Sequence, residues 1–278
     1  MRQRKMAALA LALVAATGLT ACGDDGGGGA GGSGDKIVIG IKFDQPGLGL
    51  KEGSEYKGFD VDVAKYVAKE LGYDEKNIEW KQAPTPQREN LIETGQVKLI
   101  FATYSISAAR KQKVSFGGPY FIAGQDLLVR ADDTSITGPE SLNGKKVCSV
   151  TGSTSAQKIK EKYSAGAQLQ EYDKYSKCVE ALVAGAIDTL STDNTILAGY
   201  AAQAAYKGKL KVVGKPFTDE LYGVGMKKGD TDLCTKVNDA LKKMYDDGAW
   251  QKAVDDNLGP AGFKVDTTKN PPKAFDNC

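Results

Sequence analysis

Apolar and polar positions along this chain fall into short units with two periods. Residues 36–41 form a mostly apolar, β-branched run and read as a buried strand. Asp60 then opens a segment in which Val63, Ala64, Val67, Ala68 and Leu71 recur at helical spacing, and Gly72 closes it. Residues 78–82 read as a second strand. Thr85 can cap a helix over 86–94, Gly95 stops that helix, and 97–102 form a third strand. The order then returns: strand 146–150, helix 155–163, strand 168–172, helix 174–184 stopped by Gly185, and strand 187–191. Such strand-helix-strand runs predict mainly parallel sheets covered by helices, so the expected class is α/β with two similar lobes.

The repeat also places chemistry. Aligning Gly95 with Gly185 sets Thr103 opposite Asp193, each just past the third strand of its unit. Open α/β sheets bind ligands at the carboxyl ends of their strands, so two such ends predict a cleft between the lobes. Coincidence is the alternative, because strand-helix-glycine-strand is a common order.

Composition changes the picture mostly at the ends. Arg2, Arg4 and Lys5 precede an apolar run over 6–16, too short to span a bilayer and of signal-peptide size, so 1–21 are read as a signal peptide. The run ends in Leu19, Thr20, Ala21 and Cys22, which resembles the lipobox of bacterial lipoproteins, where cleavage leaves a lipid on Cys22. A chance cysteine behind an ordinary signal peptide is the other reading. Residues 22–35 are nearly all Gly, Asp and Ser and act as a tether reaching roughly 20 Å. The remainder is long enough for one large domain or two small ones. Lysine and arginine number 37 against 35 acidic residues, a net +2 that becomes −1 without the three leader cations. That balance has no footprint for nucleic acid. Histidine is absent, which removes the commonest general base and metal ligand, so neither metal nor cofactor is expected. Four cysteines besides Cys22 allow three pairings in an oxidising compartment.

Four segments carry a family resemblance: Gly58 to Ala64, Ser105 to Arg110, Pro119 with Tyr120, and Val147 through Thr154. Over 36–255 the chain resembles the type II periplasmic amino-acid binding proteins, the extracellular solute-binding proteins of family 3. Lys42 to Gly47 and Gln87 to Leu91 are most similar to the glutamate-binding lipoprotein branch of ABC importers. Lys98, where an Asp is usual, and Gly117, where a Ser is usual, depart from the pattern. The resemblance implies two lobes with mixed, mainly parallel sheets, joined by two crossing strands and closing like a flytrap. Lobe 1 is expected over 36–125, lobe 2 over 126–222 and a return to lobe 1 over 223–278, with hinges near 122–128 and 215–222. Pairing within each lobe favours Cys148–Cys178 and Cys234–Cys278. A monomer held outside the cytoplasm by its lipid alone would deliver an amino acid, preferably glutamate with glutamine or aspartate as the alternatives, to an ABC permease and ATPase complex.

The chemistry of a free amino acid selects the same residues. Its carboxylate and ammonium both lose water in a closing cleft, so each needs an opposite charge or several hydrogen bonds. Arg110 offers a planar fork for the carboxylate, and Ser153 and Thr154 sit where backbone N–H groups open a helix. Asp193 is the expected partner of the ammonium, with Thr103 and Ser105 supplying carbonyl or hydroxyl oxygens. Lys42 and Arg88 are carried over from the acidic-amino-acid branch for a distal carboxylate. These three cations against one anion leave an excess of two positive charges, suited to a ligand of net −1. Their plain readings are a surface arginine, a helix cap, turn formers and solvated cations. An enzyme of the cyclohexadienyl-dehydratase type on the same fold would need an acid–base pair that does not accompany this clamp. A sensor for a signalling receptor would use the same closure.

Overall fold

A computed structural model describes residues 35–163 and 166–278. The signal peptide, Cys22 and the tether lie outside the described residues. The chain opens with β1 (Ile37–Ile41), the small hairpin strands β2 (Asp44–Gln45), β3 (Gly49–Glu52) and β4 (Glu55–Lys57), and α1 (Phe59–Glu70). It continues through β5 (Ile78–Gln82), α2 (Arg88–Glu93), β6 (Leu99–Phe101), α3 (Ala108–Lys111) and the long β7 (Val114–Ala123). A second unit holds β8 (Gln125–Arg130), β9 (Lys146–Val150), α4 (Thr154–Lys158), β10 (Gln168–Tyr172), α5 (Tyr175–Val183), β11 (Thr189–Asp193), α6 (Asn194–Ala202) and β12 (Leu210–Val212). The chain then returns as β13 (Glu220–Lys227), α7 (Thr231–Asp246) and α8 (Ala249–Asn257).

Two five-stranded sheets result, ordered β5-β1-β6-β13-β7 and β10-β9-β11-β8-β12. In each, the strands of the strand-helix repeat pair in parallel, whereas β13 in one and β8 in the other run antiparallel. The class is thus the mixed α/β arrangement of two lobes. The chain crosses between them twice, at Gly124 and over 213–219. Those crossings touch: a Cβ on Gly124 would stand 2.6 Å from Pro216 Cβ.

The first lobe is sealed by aromatic packing. Phe121 on β7 stacks on Tyr222 and Trp250 with ring centroids 6.0 Å apart, and Trp250 Nε1 donates to the Tyr120 carbonyl at 2.8 Å. The returning helices are therefore part of this core. Gly117 answers to the same packing, since a side chain there would meet Val237 Cγ1 of α7 at 2.7 Å. The other departure, Lys98, lies 3.5 Å from Asp230. Disulfides join Cys148 to Cys178 inside the second lobe and Cys234 to Cys278 inside the first. Asn270 exchanges two hydrogen bonds with the backbone of Ile122, at 2.8 and 2.9 Å, so the C-terminal segment straps the first crossing.

Several elements differ in detail from the pattern reading. The first helix starts at Phe59 behind Gly58, whose φ of 120° and closeness to the Leu48 carbonyl exclude a side chain. Asp60 therefore sits inside the first turn. The helix expected over 86–94 shortens to α2 behind a tight turn at Thr85–Gln87, and Thr85 makes no cap. The one expected over 155–163 becomes α4 plus a wide turn at Ile159–Tyr163. Glu220 to Tyr222, expected at the end of lobe 2, belong to β13 in the first sheet.

Candidate functional site

Carboxyl ends of strands from both sheets meet at one small cavity. On the first lobe, β6 ends in a sharp turn at Thr103, whose φ of 47° is strained for a β-branched residue. Its N–H donates to Asp60 Oδ2 at 2.9 Å, and its hydroxyl lies 2.7 Å from the Ala102 carbonyl and 3.3 Å from Gln45 Oε1. Asp60 is wholly buried and also accepts from Tyr120 Oη at 2.7 Å. Burial pushes its carboxyl up to about 6 against these two bonds. Its task is to pin the end of β6.

Arg110 follows on α3, where Ser107 caps the helix by accepting the Arg110 N–H. Its guanidinium donates to the Ser105 carbonyl at 2.7 Å and, across the cleft, to the Gly152 carbonyl at 3.0 Å. Arg88 begins α2 and donates to the Ala102 carbonyl at 2.9 Å and the Thr85 carbonyl at 3.4 Å. Burial, then the Arg110 charge, lowers its pKa to about 10, which leaves it protonated at neutrality. Lys42, 2 % exposed, reaches the Thr85 hydroxyl at 3.4 Å and no other hydrogen-bond partner among the described residues, and burial lowers its ammonium to about 8.

The second lobe contributes Gly152 at φ 76°, Ser153 and Thr154. Ser153 Oγ accepts the Ala156 N–H at 2.9 Å and caps α4, a helix of five residues. Thr154 Oγ1 donates to Glu220 Oε2 at 2.8 Å and stands 3.5 Å from Ser105 Oγ. Asp193, last in β11, accepts from Tyr222 Oη at 2.7 Å. Burial, then the nearby Glu220 charge, pushes its carboxyl up to about 7.

Arg88, Thr103, Ser105, Arg110, Ser153, Thr154 and Asp193 all line this cavity, as do Thr85, Ser155 and Tyr175. Lys42 stands behind Thr85, outside the lining. The lobes are closed on it: about 10 Å³ remains, near the minimum for one water, so an amino acid enters only when they part. A second set of contacts closes the far end of the cleft. Asp44 of the first lobe accepts from Ser176 Oγ at 3.3 Å and from the Tyr200 hydroxyl. Gly199 of α6 lies so near Pro46 that a Cβ would fall 2.1 Å from its carbonyl oxygen. A larger cavity, about 1070 Å³, lies by the crossings and the C-terminal segment; hinge residues such as Asp126 and Phe217 line it, but none of those singled out for the ligand does.

Residues 37–260 match the profile of the bacterial extracellular solute-binding proteins, family 3. The chain belongs to that family. Among its relatives, the glutamate-binding protein GluB of Corynebacterium glutamicum is 49 % identical over 94 % of this chain and 92 % of its own. The ABC transporter glutamine-binding protein GlnH of Bacillus subtilis is 42 % identical over 78 % and 79 %. An ancestral arginine-binding protein bound to glutamine has the same architecture, with a TM-score of 0.75 and 34 % identity over 81 % of this chain and 98 % of its own. This is an extracellular binding-protein family, not an enzyme family.

The cavity also draws on residues that the sequence does not single out. Glu220 enters from a strand that follows the whole second lobe, and Tyr175 and Ser155 look like core and helix residues in sequence. Asp60, Glu89 and Glu220 bring three more carboxylates to the cluster, so the local charge is not the simple excess of two positives. What survives is narrower. Glu89 lies 3.6 Å from Arg110 Nε, and Glu220 accepts from Thr154 and Thr218. Neither Lys42 nor Arg88 has a carboxylate within 4 Å among the described residues.

Proposed function

We propose that this protein captures L-glutamate between its lobes and delivers it to an ABC permease and ATPase complex. The observation that carries the reading is the pair of buried basic side chains, Arg88 and Lys42, neither of which has a carboxylate within 4 Å among the described residues. A buried charge left unpaired costs several kcal/mol, and a ligand carboxylate at this end of the cleft relieves it. Arg110 with the backbone of α4 takes the α-carboxylate, Asp193 takes the ammonium with Thr103 and Ser105, and Arg88 receives the side-chain carboxylate. Lys42 adds its charge through Thr85. Closure rotates the lobes about the crossings near 122–128 and 215–222. A monomer suffices, since one chain supplies the whole cleft. The lipobox-like ending makes Cys22 the anchor, and Cys22→Ala should move the protein from the membrane to the soluble fraction.

Glutamine is the second reading, favoured by the GlnH relationship and by the extra carboxylates around the cleft. The two ligands are nearly isosteric, so charge must separate them. Competition calorimetry of purified residues 36–278 against glutamate, glutamine and aspartate decides. Glutamate should bind at least tenfold more tightly than glutamine; equal binding, or a preference for glutamine, overturns the glutamate assignment.

A further inference from the structure

Tyr104 does not line the cavity, yet it touches both arginines that do. It follows the strained Thr103, is fully buried, and packs edge-on against Phe116 with centroids 4.8 Å apart. Gly225 on β13 makes room for it, because a Cβ there would stand 2.7 Å from the ring. The guanidinium carbon of Arg88 lies 4.4 Å from the ring centre and that of Arg110 5.0 Å. The Tyr104 hydroxyl donates to Glu89 Oε1 at 2.7 Å, and that same oxygen is the one 3.6 Å from Arg110 Nε.

The wiring is uneven. Among the described residues, Arg110 meets a carboxylate, two carbonyls and the ring, whereas Arg88 meets carbonyls and the ring and has no carboxylate within 4 Å. Glu89 is the neighbour of Arg88 in α2, but its carboxylate is turned to Arg110 and fixed there by the tyrosine. Two guanidiniums this close repel each other, and the negative face of one ring attracts both, more strongly in a desolvated site. Without the ring, Arg88 and Arg110 would spread apart; without the hydroxyl, Glu89 could swing and neutralise Arg88.

Resting on the glutamate reading, we infer that Tyr104, together with Glu89, is a specificity-determining positioning residue: it commits Glu89 to Arg110 and leaves Arg88 as the unpaired cation that meets the ligand side chain. A residue that only fills space would affect all ligands alike. A positioning residue acts through Arg88 and should shift the glutamate-to-glutamine ratio.

The test is a double-mutant cycle with calorimetric affinities for both amino acids. Tyr104→Met fills similar volume without a π face and should lower glutamate affinity about tenfold, with under threefold loss for glutamine. Tyr104→Phe restores the ring but not the hydroxyl that holds Glu89, so it should recover only part of that loss. In an Arg88→Met background, Tyr104→Met should remove less than about threefold more. Gly225→Ala pushes on the ring from β13 and gives a second route to the same selective loss should Tyr104→Met not fold. Equal losses for both ligands, or losses that simply add to those of Arg88→Met, overturn the inference. If the unmodified protein prefers glutamine, the glutamate reading falls, and the inference is then judged by whether the cycle for glutamine is non-additive.

Discussion

The two faces of the cleft are built from the same strand-helix pattern but prepared in opposite ways. The first lobe presents cations, Arg88 and Arg110 with Lys42 behind them, each held by carbonyls, a hydroxyl or the Tyr104 ring. The second presents Asp193 and the hydroxyls of Ser153 and Thr154. Neither face alone satisfies an amino acid, whose two charged groups need opposite partners. Equivalent ends of equivalent sheets thus diverge in charge, and the ligand completes the circuit only when both are brought together.

Removing one pole should have the largest effect. Arg110→Ala or Asp193→Ala strands a charged ligand group, costing on the order of 3–5 kcal/mol, roughly a hundredfold to several-thousandfold in affinity. Titration of the folded variants checks this, and near-normal curves for either would break the idea of two complementary faces. Keeping both poles but holding them apart should come next. Gly199→Ala sets a methyl against the Pro46 carbonyl, and affinity should fall about tenfold or more while the melting temperature without ligand stays near that of the parent. Loss of the side-chain contact is third. Arg88→Met should weaken glutamate about tenfold and Lys42→Met less, with glutamine little changed and the buried Lys42's effect nearly independent of salt.

Titration sharpens the contrast, because the two faces lose their charge in opposite directions. The Asp193 carboxyl, raised to about 7, takes up a proton as pH falls below that value, and an ammonium ligand must expel it. The Lys42 ammonium, lowered to about 8, is lost above it. Affinity should therefore peak near pH 7–8 and decline on both sides, by at most about tenfold per pH unit for each group. Asp193→Asn should flatten the acid limb. The sign for folding is reversed: a carboxyl whose folded pKa lies above its unfolded value makes stability fall as pH rises between about 4 and 7. Calorimetry in buffers of different ionisation enthalpy reads the released protons directly. The smallest effect on binding belongs to the disulfides. Replacing Cys234 and Cys278 by serine should cost about 3–4 kcal/mol of stability by chain-entropy reasoning and change affinity by less than threefold.

Much of this was legible in the chain because the determinants are local. Strand and helix periods, the helix-stopping glycines and the matching offsets of Thr103 and Asp193 lie within short windows, and seven of the eight residues singled out for the ligand do line one cavity. What could not be read depends on distant partners. Thr85 looks like a helix cap, but its hydroxyl receives Lys42 from 43 positions away. Asp60 looks like a helix-opening residue, and its role appears only once β6 is laid beside α1. Glu220 and Tyr222 return to the first sheet after the whole second lobe, and nothing near them in sequence announces Thr154 or Asp193 as a partner. The charge count failed for that reason: it was taken over residues recognised singly, before packing brought other carboxylates among them.

The contacts of Asp44 with Ser176 and Tyr200, and of Gly199 with Pro46, do not pass through the ligand-lining residues. Their free energy is therefore indifferent to what the cleft holds, and it shifts the open–closed equilibrium by the same amount whether the carrier is loaded or not. Such a bias raises apparent affinity where the ligand itself favours closure, because less of the binding free energy then goes into closing the lobes. On the proposed reading, it also narrows the contrast between loaded and unloaded protein that a transport partner can sense. Loosening that end of the cleft would give a protein that binds more weakly but reports its cargo more faithfully.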